Sequence, residues 1–211
     1  MLAAIIHLKL ATHLMSGWVA NSMPVPMPAA VIALAFDAHI ASPVEISIHD
    51  INRRDGWSTI VVERDGSYDA PMKKKIAHVF RCTTEAEHVI ARKTLAMLAA
   101  VSERYAGHQI ELVSGYRVRR GESMTSPHRD ARAIDFRVEG VPLPEIRDWL
   151  WRTYTEVGIG WYPFDHFIHM DTRPTMNDTS WTDMGTRYYY NPPWSITARA
   201  PQPTVPRGPG V

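Results

Sequence analysis

Three residues in the second half of the chain could share one metal ion. His128 and Asp135 stand seven positions apart in SPHRDARAIDFRV, and His169 follows Asp135 by 34 positions in FIHMD. Two imidazoles and one carboxylate form a donor set that borderline zinc accepts, leaving a fourth tetrahedral position for water. Zinc with an open position lowers the pKa of bound water from 15.7 to about 7, which makes hydroxide available at neutral pH. A His seven residues before an Asp is weak evidence by itself in a chain with ten His and 22 acidic residues. The pattern around the three residues adds to it. In the strand-like run 133–138, Ala133, Asp135 and Arg137 share one face and Ile134, Phe136 and Val138 the other. His169 likewise shares a face with Phe167 and Asp171, opposite Ile168 and Met170. Both would leave a sheet on its more polar side.

Elements that could hold these residues are readable along the chain. Val44 to Ile48 alternates with period two, and Trp57 to Val62 is rich in β-formers, so with Arg54-Asp55-Gly56 between them they predict a β-hairpin. Met72, Ile76, Val79 and Phe80 recur at helical spacing over 69–80, with Lys73, Lys74 and Lys75 as a solvated face. The apolar repeat Val89, Ile90, Leu95, Leu98 and Val101 predicts a long helix over 85–105, started by a capping box of Thr84 with Glu87 and ended near Gly107. Gln109 to Val113 then reads as a strand that delivers Ser114-Gly115-Tyr116-Arg117 to its end. The stretch 118–125 is polar and irregular. Pro144 suits the first turn of a helix containing Ile146, Trp149 and Leu150, and Gly158-Ile159-Gly160 turns the chain toward the strand of His169.

Composition bounds the rest. With 211 residues, 45% hydrophobic and 21% charged, the chain accommodates one ordinary domain plus tails. A net charge of +1 gives no basis for a bulk electrostatic partner such as duplex nucleic acid. The single cysteine, Cys82, has no disulfide partner within the chain and no CxxC spacing. Residues 1–42 mix apolar residues with His7, Lys9 and His13 before the short apolar run 27–36. They match a secretory signal or anchor only loosely, and no run reaches the roughly 18 apolar residues of a membrane span. Residues 196–211 form a Pro-rich tail expected to be disordered.

The ordered set SGYR, then S-x-H-x-x-x-x-A-x-D, then G-I-G-x-Y-P, F-I-H-x-D-T and a later Trp closely resembles the zinc D-Ala-D-Ala carboxypeptidase and murein endopeptidase family of bacterial cell-wall enzymes. The resemblance runs from about Pro43 to Trp181. It implies an α+β domain over 43–195, in which a small antiparallel sheet flanked by helices carries one zinc per chain. His128, Asp135 and His169 match the family's zinc ligands. Arg117 matches an arginine that stabilises the oxyanion of the tetrahedral intermediate, and Ser126 and Tyr116 fall at substrate-contacting positions. Asp171 would orient a ligand. The family's general base, a carboxylate three residues before the final His, is replaced here by His166, with Asp165 one step away. Glycine is usual where this chain has Ala131 and Arg173.

The implied activity is hydrolysis of peptide bonds in peptidoglycan stem peptides or cross-links, as a carboxypeptidase or endopeptidase. The implied setting is the cell envelope, periplasmic or secreted, with a monomer acting on peptidoglycan peptides. The reading from another class is a non-catalytic, zinc-containing module that binds the cell wall. Arg119, Arg120, Arg129 and Arg132 cluster near the site in sequence and could recognise stem-peptide carboxylates.

Overall fold

The computed structural model describes residues 42–200 apart from 55, 175 and 176. The N-terminal segment 1–41 and residues 201–211 of the tail lie outside the described residues, as do the signal or anchor and most of the disordered tail expected there. Eight strands form one sheet: β1 (Val44–Asp50), β2 (Trp57–Val62), β3 (Ile110–Ser114), β4 (Ala133–Val138), β5 (Val157–Tyr162), β6 (Phe167–Thr172), β7 (Thr179–Asp183) and β8 (Tyr188–Tyr190). The helices are α1 (Ala70–Val79), α2 (Arg92–Arg104), α3 (Leu143–Thr153) and α4 (Pro193–Arg199). The last runs across the boundary at residue 195 where the domain was expected to give way to the tail.

The strand order is β2-β1-β3-β4-β6-β5-β7-β8. The expected α+β mixture is present, but the expected small antiparallel sheet is not: β1 pairs with β3, and β5 with β7, in parallel. Both parallel joins have a topological cause. Between β1 and β3 the chain makes a hairpin and two helices, a connection long enough to bring β3 back in the same sense as β1. Thr172, the end of β6, lies opposite Val157, the start of β5. The link 173–178 therefore has only to step past the start of β5 before β7 sets off parallel to it.

The sheet has one apolar face. Ile134 on β4 faces Met170 on β6, and Phe136 faces Ile168. All four are fully buried, together with Leu95 and Leu98 of α2 and Ile146 and Leu150 of α3. Full burial of each such side chain contributes about 1.5–3 kcal/mol. The Thr94 hydroxyl of α2 lies 3.2 Å from that of Thr172, which places α2 on the face of Ile168 and Met170. Asp135 and His169 thereby point to the opposite face.

The long helix expected over 85–105 is shorter at its start. Glu85 is left-handed, at φ 65°, and its carboxylate is held by Arg53 and Arg81, each at 2.8 Å. The Ala91 N–H donates to the Ala131 carbonyl at 2.8 Å rather than to a preceding turn. These tertiary bonds override the local helical pattern, so α2 begins at Arg92, after Ala91, with no side-chain cap. At α1 the Asp69 side chain accepts from the Met72 N–H, and Lys73, Lys74 and Lys75 are exposed as expected.

Candidate metal centre and its cleft

Asp135 and His169 meet because their strands place them directly opposite one another in the β4–β6 ladder. His128 arrives from the β3–β4 connection. Its carbonyl accepts from the N–H groups of Arg117 and Ala131, both at 3.2 Å, which fixes the loop to the SGYR segment. Ala131 is fully buried at φ 51°, a conformation that costs a residue with a Cβ roughly 1–2 kcal/mol. This accounts for the glycine that the resemblance leads one to expect there. Gly115 answers to a different need. A Cβ on it would lie 2.6 Å from the Phe80 carbonyl oxygen, which accepts from the Tyr116 N–H.

One ligand atom from each of His128, Asp135 and His169 lies within 4.8 Å of the others, and all three residues are buried. His169 Nδ1 is 2.7 Å from Asp135 Oδ1, and His128 Nε2 is 3.2 Å from both Asp135 Oδ2 and His169 Nδ1. The outer nitrogens are committed. His128 Nδ1 donates to the Gly115 carbonyl at 2.7 Å, and His169 Nε2 donates to Asp171 Oδ2 at 3.1 Å. A carbonyl and a carboxylate can only accept, so the neutral rings must carry their protons on those outer atoms. With both rings in that neutral form, two imidazole lone pairs and a carboxylate converge; in the metal-free chain His169 also carries a proton on Nδ1, which a metal would displace. That donor set fits a divalent cation with nitrogen and oxygen ligands, zinc foremost.

The electrostatics follow the same logic. Burial alone would raise the Asp135 carboxyl, yet His128 and His169 hold it far below the usual carboxylate range. Burial would lower His169, but Asp135 and then Asp171 overcome it and push the imidazole up to about 9. Asp171 is lowered despite its burial by His169 and by Arg173, whose Nη2 donates to it at 3.0 Å. Arg173, which replaces an expected glycine, is thus one hydrogen bond removed from a ligand's carboxylate partner.

Around the cluster, Arg117 places Nη1 3.5 Å from Asp135 Oδ2 and Nε 2.6 Å from Glu122 Oε2. Glu122 lies in the polar stretch 118–125, where nothing in the spacing distinguishes it from a surface carboxylate. Its side chain is only 8% exposed. Trp181 on β7 lies opposite Gly160 and sets its ring 5.1 Å from that of His169, while its Nε1 donates to the Tyr162 hydroxyl at 3.1 Å. A Cβ at Gly160 would lie 2.4 Å from Trp181 Cε2, and one at Gly158 2.1 Å from Asp171 Oδ2. The two glycines of GIG therefore clear space for an indole and a carboxylate.

A cavity of about 550 Å³ opens over the cluster, with Ser126, Tyr162, Phe167, Asp171 and Trp181 among its walls. A second, of about 320 Å³, is lined by Arg53, Arg81, Tyr116 and Arg119, and Arg117, Asp135 and Phe167 border both. The two cavities thus adjoin at these three residues, one over the cluster and one on the side of Arg53 and Arg81. The structure brings Arg117, Ser126 and Asp171 to the cluster's own cavity and Tyr116 to the second. Asp165 and His166 are exposed in the turn 163–166 between β5 and β6 and line neither cavity. His166 has a left-handed backbone at φ 60°. Of the neighbouring arginines, Arg132 is occupied by Asp130 and the Thr172 carbonyl, whereas Arg119 meets Glu122 only at 3.9 Å.

The family model of Peptidase_M15_2, described as peptidoglycan L,D-endopeptidase MepK, matches residues 39–177. The probable peptidoglycan L,D-endopeptidase MepK of Haemophilus influenzae is 37% identical over 76 residues, covering 31% of this chain and 40% of that protein. The peptidoglycan L,D-endopeptidases MepK of Escherichia coli K12 and Shigella flexneri are each 35% identical over 75 residues, or 41% of their length. The chain thus spans about two fifths of the length of these curated relatives. No solved structure matches.

Proposed function

The chain belongs to the Peptidase_M15_2 family, and from that premise we propose that it is a zinc metallopeptidase that hydrolyses peptide bonds in peptidoglycan, acting as an endopeptidase in the cell envelope. The observation that carries the choice of endopeptidase is the second cavity, which adjoins the one over the cluster at Arg117, Asp135 and Phe167. A carboxypeptidase needs a groove closed beyond the scissile bond, and a cross-link needs room on both sides. Among the described residues no helix is long and apolar enough to cross a membrane.

His128, Asp135 and His169 would hold the zinc, which when bound supplies a Lewis acid and a water acidic enough to react at neutral pH. Gly115 and Asp171 keep the protons of His128 and His169 on their outer nitrogens and leave the inner ones free to ligate. Arg117, steadied by Glu122, offers a planar donor fork to the oxygen that gains charge as the scissile carbonyl becomes tetrahedral. Ser126, and Tyr116 in the adjoining cavity, contact the peptide. Trp181 and Phe167 keep bulk water from the reacting bond. For the proton of the attacking water we assign His166 ahead of Asp165, on its place three residues before His169; both are exposed and line neither cavity, so the role requires the turn 163–166 to move toward the cluster when peptide binds. His166 directly precedes Phe167, which borders both cavities, and an imidazole serves as a base near neutral pH.

Digestion of purified sacculi, with mass spectrometry of the released muropeptides, tests this reading. The zinc-reconstituted chain should release peptides cut at cross-links, and His128→Ala should release none. His166→Ala should cost about 10²–10⁴ in rate with zinc retained. A zinc-loaded Asp165→Asn enzyme as inactive as that, beside an active His166→Ala, would reverse the assignment of the base. Binding to sacculi without any released peptide would sink the catalytic reading altogether.

A further inference from the structure

The face that carries the metal cluster continues as an aromatic floor to the β8 edge of the sheet. The register sets its course: His169 faces Gly160, Gly160 faces Trp181, and Trp181 faces Tyr190. One row along, Phe167 faces Tyr162 and stacks on it at 4.3 Å, and Asp183 faces Tyr188. Tyr188 and Tyr190 project to the same side, because they are two residues apart in a strand. Their rings stack at 6.4 Å with 24° between planes, are 52% and 64% exposed, and line the same cavity as His169. They lie past residue 177, where the match to the family ends. No role is assigned to them by the chemistry at the metal.

The shelf is aromatic and carries two phenolic hydroxyls, with Asp183 at its margin. The nearest cation on its strand, Arg187, lies over Tyr189, which projects to the other side. Burial, and then Asp183 opposite Tyr188, raise the Tyr188 phenol above its ordinary range. Of the cations lining the same cavity, Arg173 is paired with Asp171 and Arg117 stands beside Asp135 at the cluster, so the shelf itself offers an anionic peptide segment no countercharge. A pyranose ring does find a match, because it offers a face of C–H bonds to an aromatic π-cloud and hydroxyl or amide groups at its rim to phenolic oxygens. The spacing agrees. From β6 to β8 is three strand steps, about 14 Å, and an extended peptide covers that in about four residues. A short stem peptide spans that distance between its sugar and its cross-link.

We propose that Tyr188 and Tyr190 form a saccharide shelf, which holds the glycan residue bearing the stem peptide whose cross-link lies at the metal. The proposal rests on the peptidase reading above and specifies what else that substrate touches.

The experiment compares one cross-linked muropeptide, with its disaccharides and after an amidase has removed them, on the zinc-reconstituted full chain. Tyr188→Ala with Tyr190→Ala should raise KM about tenfold on the sugar-bearing substrate, equivalent to about 1.4 kcal/mol, and leave the sugar-free one unchanged. The paired Phe substitutions, which keep the rings, should recover most of the loss. Equal losses on both substrates would mean that the peptide itself lies across the tyrosines, and no loss on either would mean that nothing does; each overturns the proposal. The single Ala variants stand in if the double variant does not fold. Should the wild-type chain cleave neither substrate, the peptidase reading fails. The shelf is then decided by calorimetric titration with peptide-free glycan strands, where binding lost in the double variant supports it and absence of wild-type binding refutes it.

Discussion

His169 touches a carboxylate through each ring nitrogen, Asp135 through Nδ1 and Asp171 through Nε2. In the metal-free chain this pair outweighs burial and raises the imidazole to about 9, so it is an imidazolium at neutral pH. A metal at Nδ1 must displace that proton. The sign follows: as pH falls below about 9, apparent affinity should weaken by about tenfold per unit, and above it the dependence should flatten. Calorimetric zinc titrations in two buffers of different ionisation heat should report release of about one proton near pH 7 and almost none near pH 9.5. Equal release at both would show that His169 is already neutral in the free site. That Asp135 and His169 share a polar face was legible because alternation separates Asp135 from Ile134 and Phe136, and His169 from Ile168 and Met170; their meeting with His128 in one buried group is what the fold adds. Glu122 was not legible, since neither its burial nor its pairing with Arg117 has a signature in the spacing of the polar stretch 118–125.

At the scale of elements, β5 shows how a strand can matter for what it lacks. Gly158 and Gly160 leave bare backbone on the metal face, and Asp171 and Trp181 occupy the space. Gly160→Ala should force Trp181 off its seat beside His169, at an overpacking cost of about 1–3 kcal/mol. In a domain of this size that is a loss of about 2–4 °C in melting temperature per kcal/mol. Activity should fall with it, and an unchanged melting curve would mean that the indole gives way freely. The sequence reading placed glycines here as a turn before the next strand; their crowded surroundings required the β5–β7 register, which no local pattern encodes. The same limit explains α2. Leu95, Leu98 and Val101 announce a helix correctly, but its start at Arg92 is set by Arg53 and Arg81 on Glu85 and by the Ala131 carbonyl, partners that are distant in sequence. Hairpins were readable, whereas parallel pairings across helices or past a neighbouring strand were not.

At the scale of the whole molecule, a metal held by His128, Asp135 and His169 would join the β3–β4 loop to two central strands, so its binding should report on the entire fold. Zinc at about 100 times its dissociation constant should add about 2.7 kcal/mol of stability, because the unfolded chain does not present the three ligands together. Thermal unfolding with added zinc, and again after chelation, checks this, and His169→Ala should abolish the difference. A melting temperature indifferent to zinc would mean that the cluster does not hold it. The far edge of the same sheet has a separate consequence. An open sheet presents unpaired amides at its rims, which can recruit strands from other molecules into aggregates. β8 is three residues long and is followed by Pro192 and Pro193, which have no N–H to donate. The brevity that leaves Tyr188 and Tyr190 open to a ligand also denies an incoming chain a ladder to extend, so an aromatic rim can face solvent without seeding fibrils.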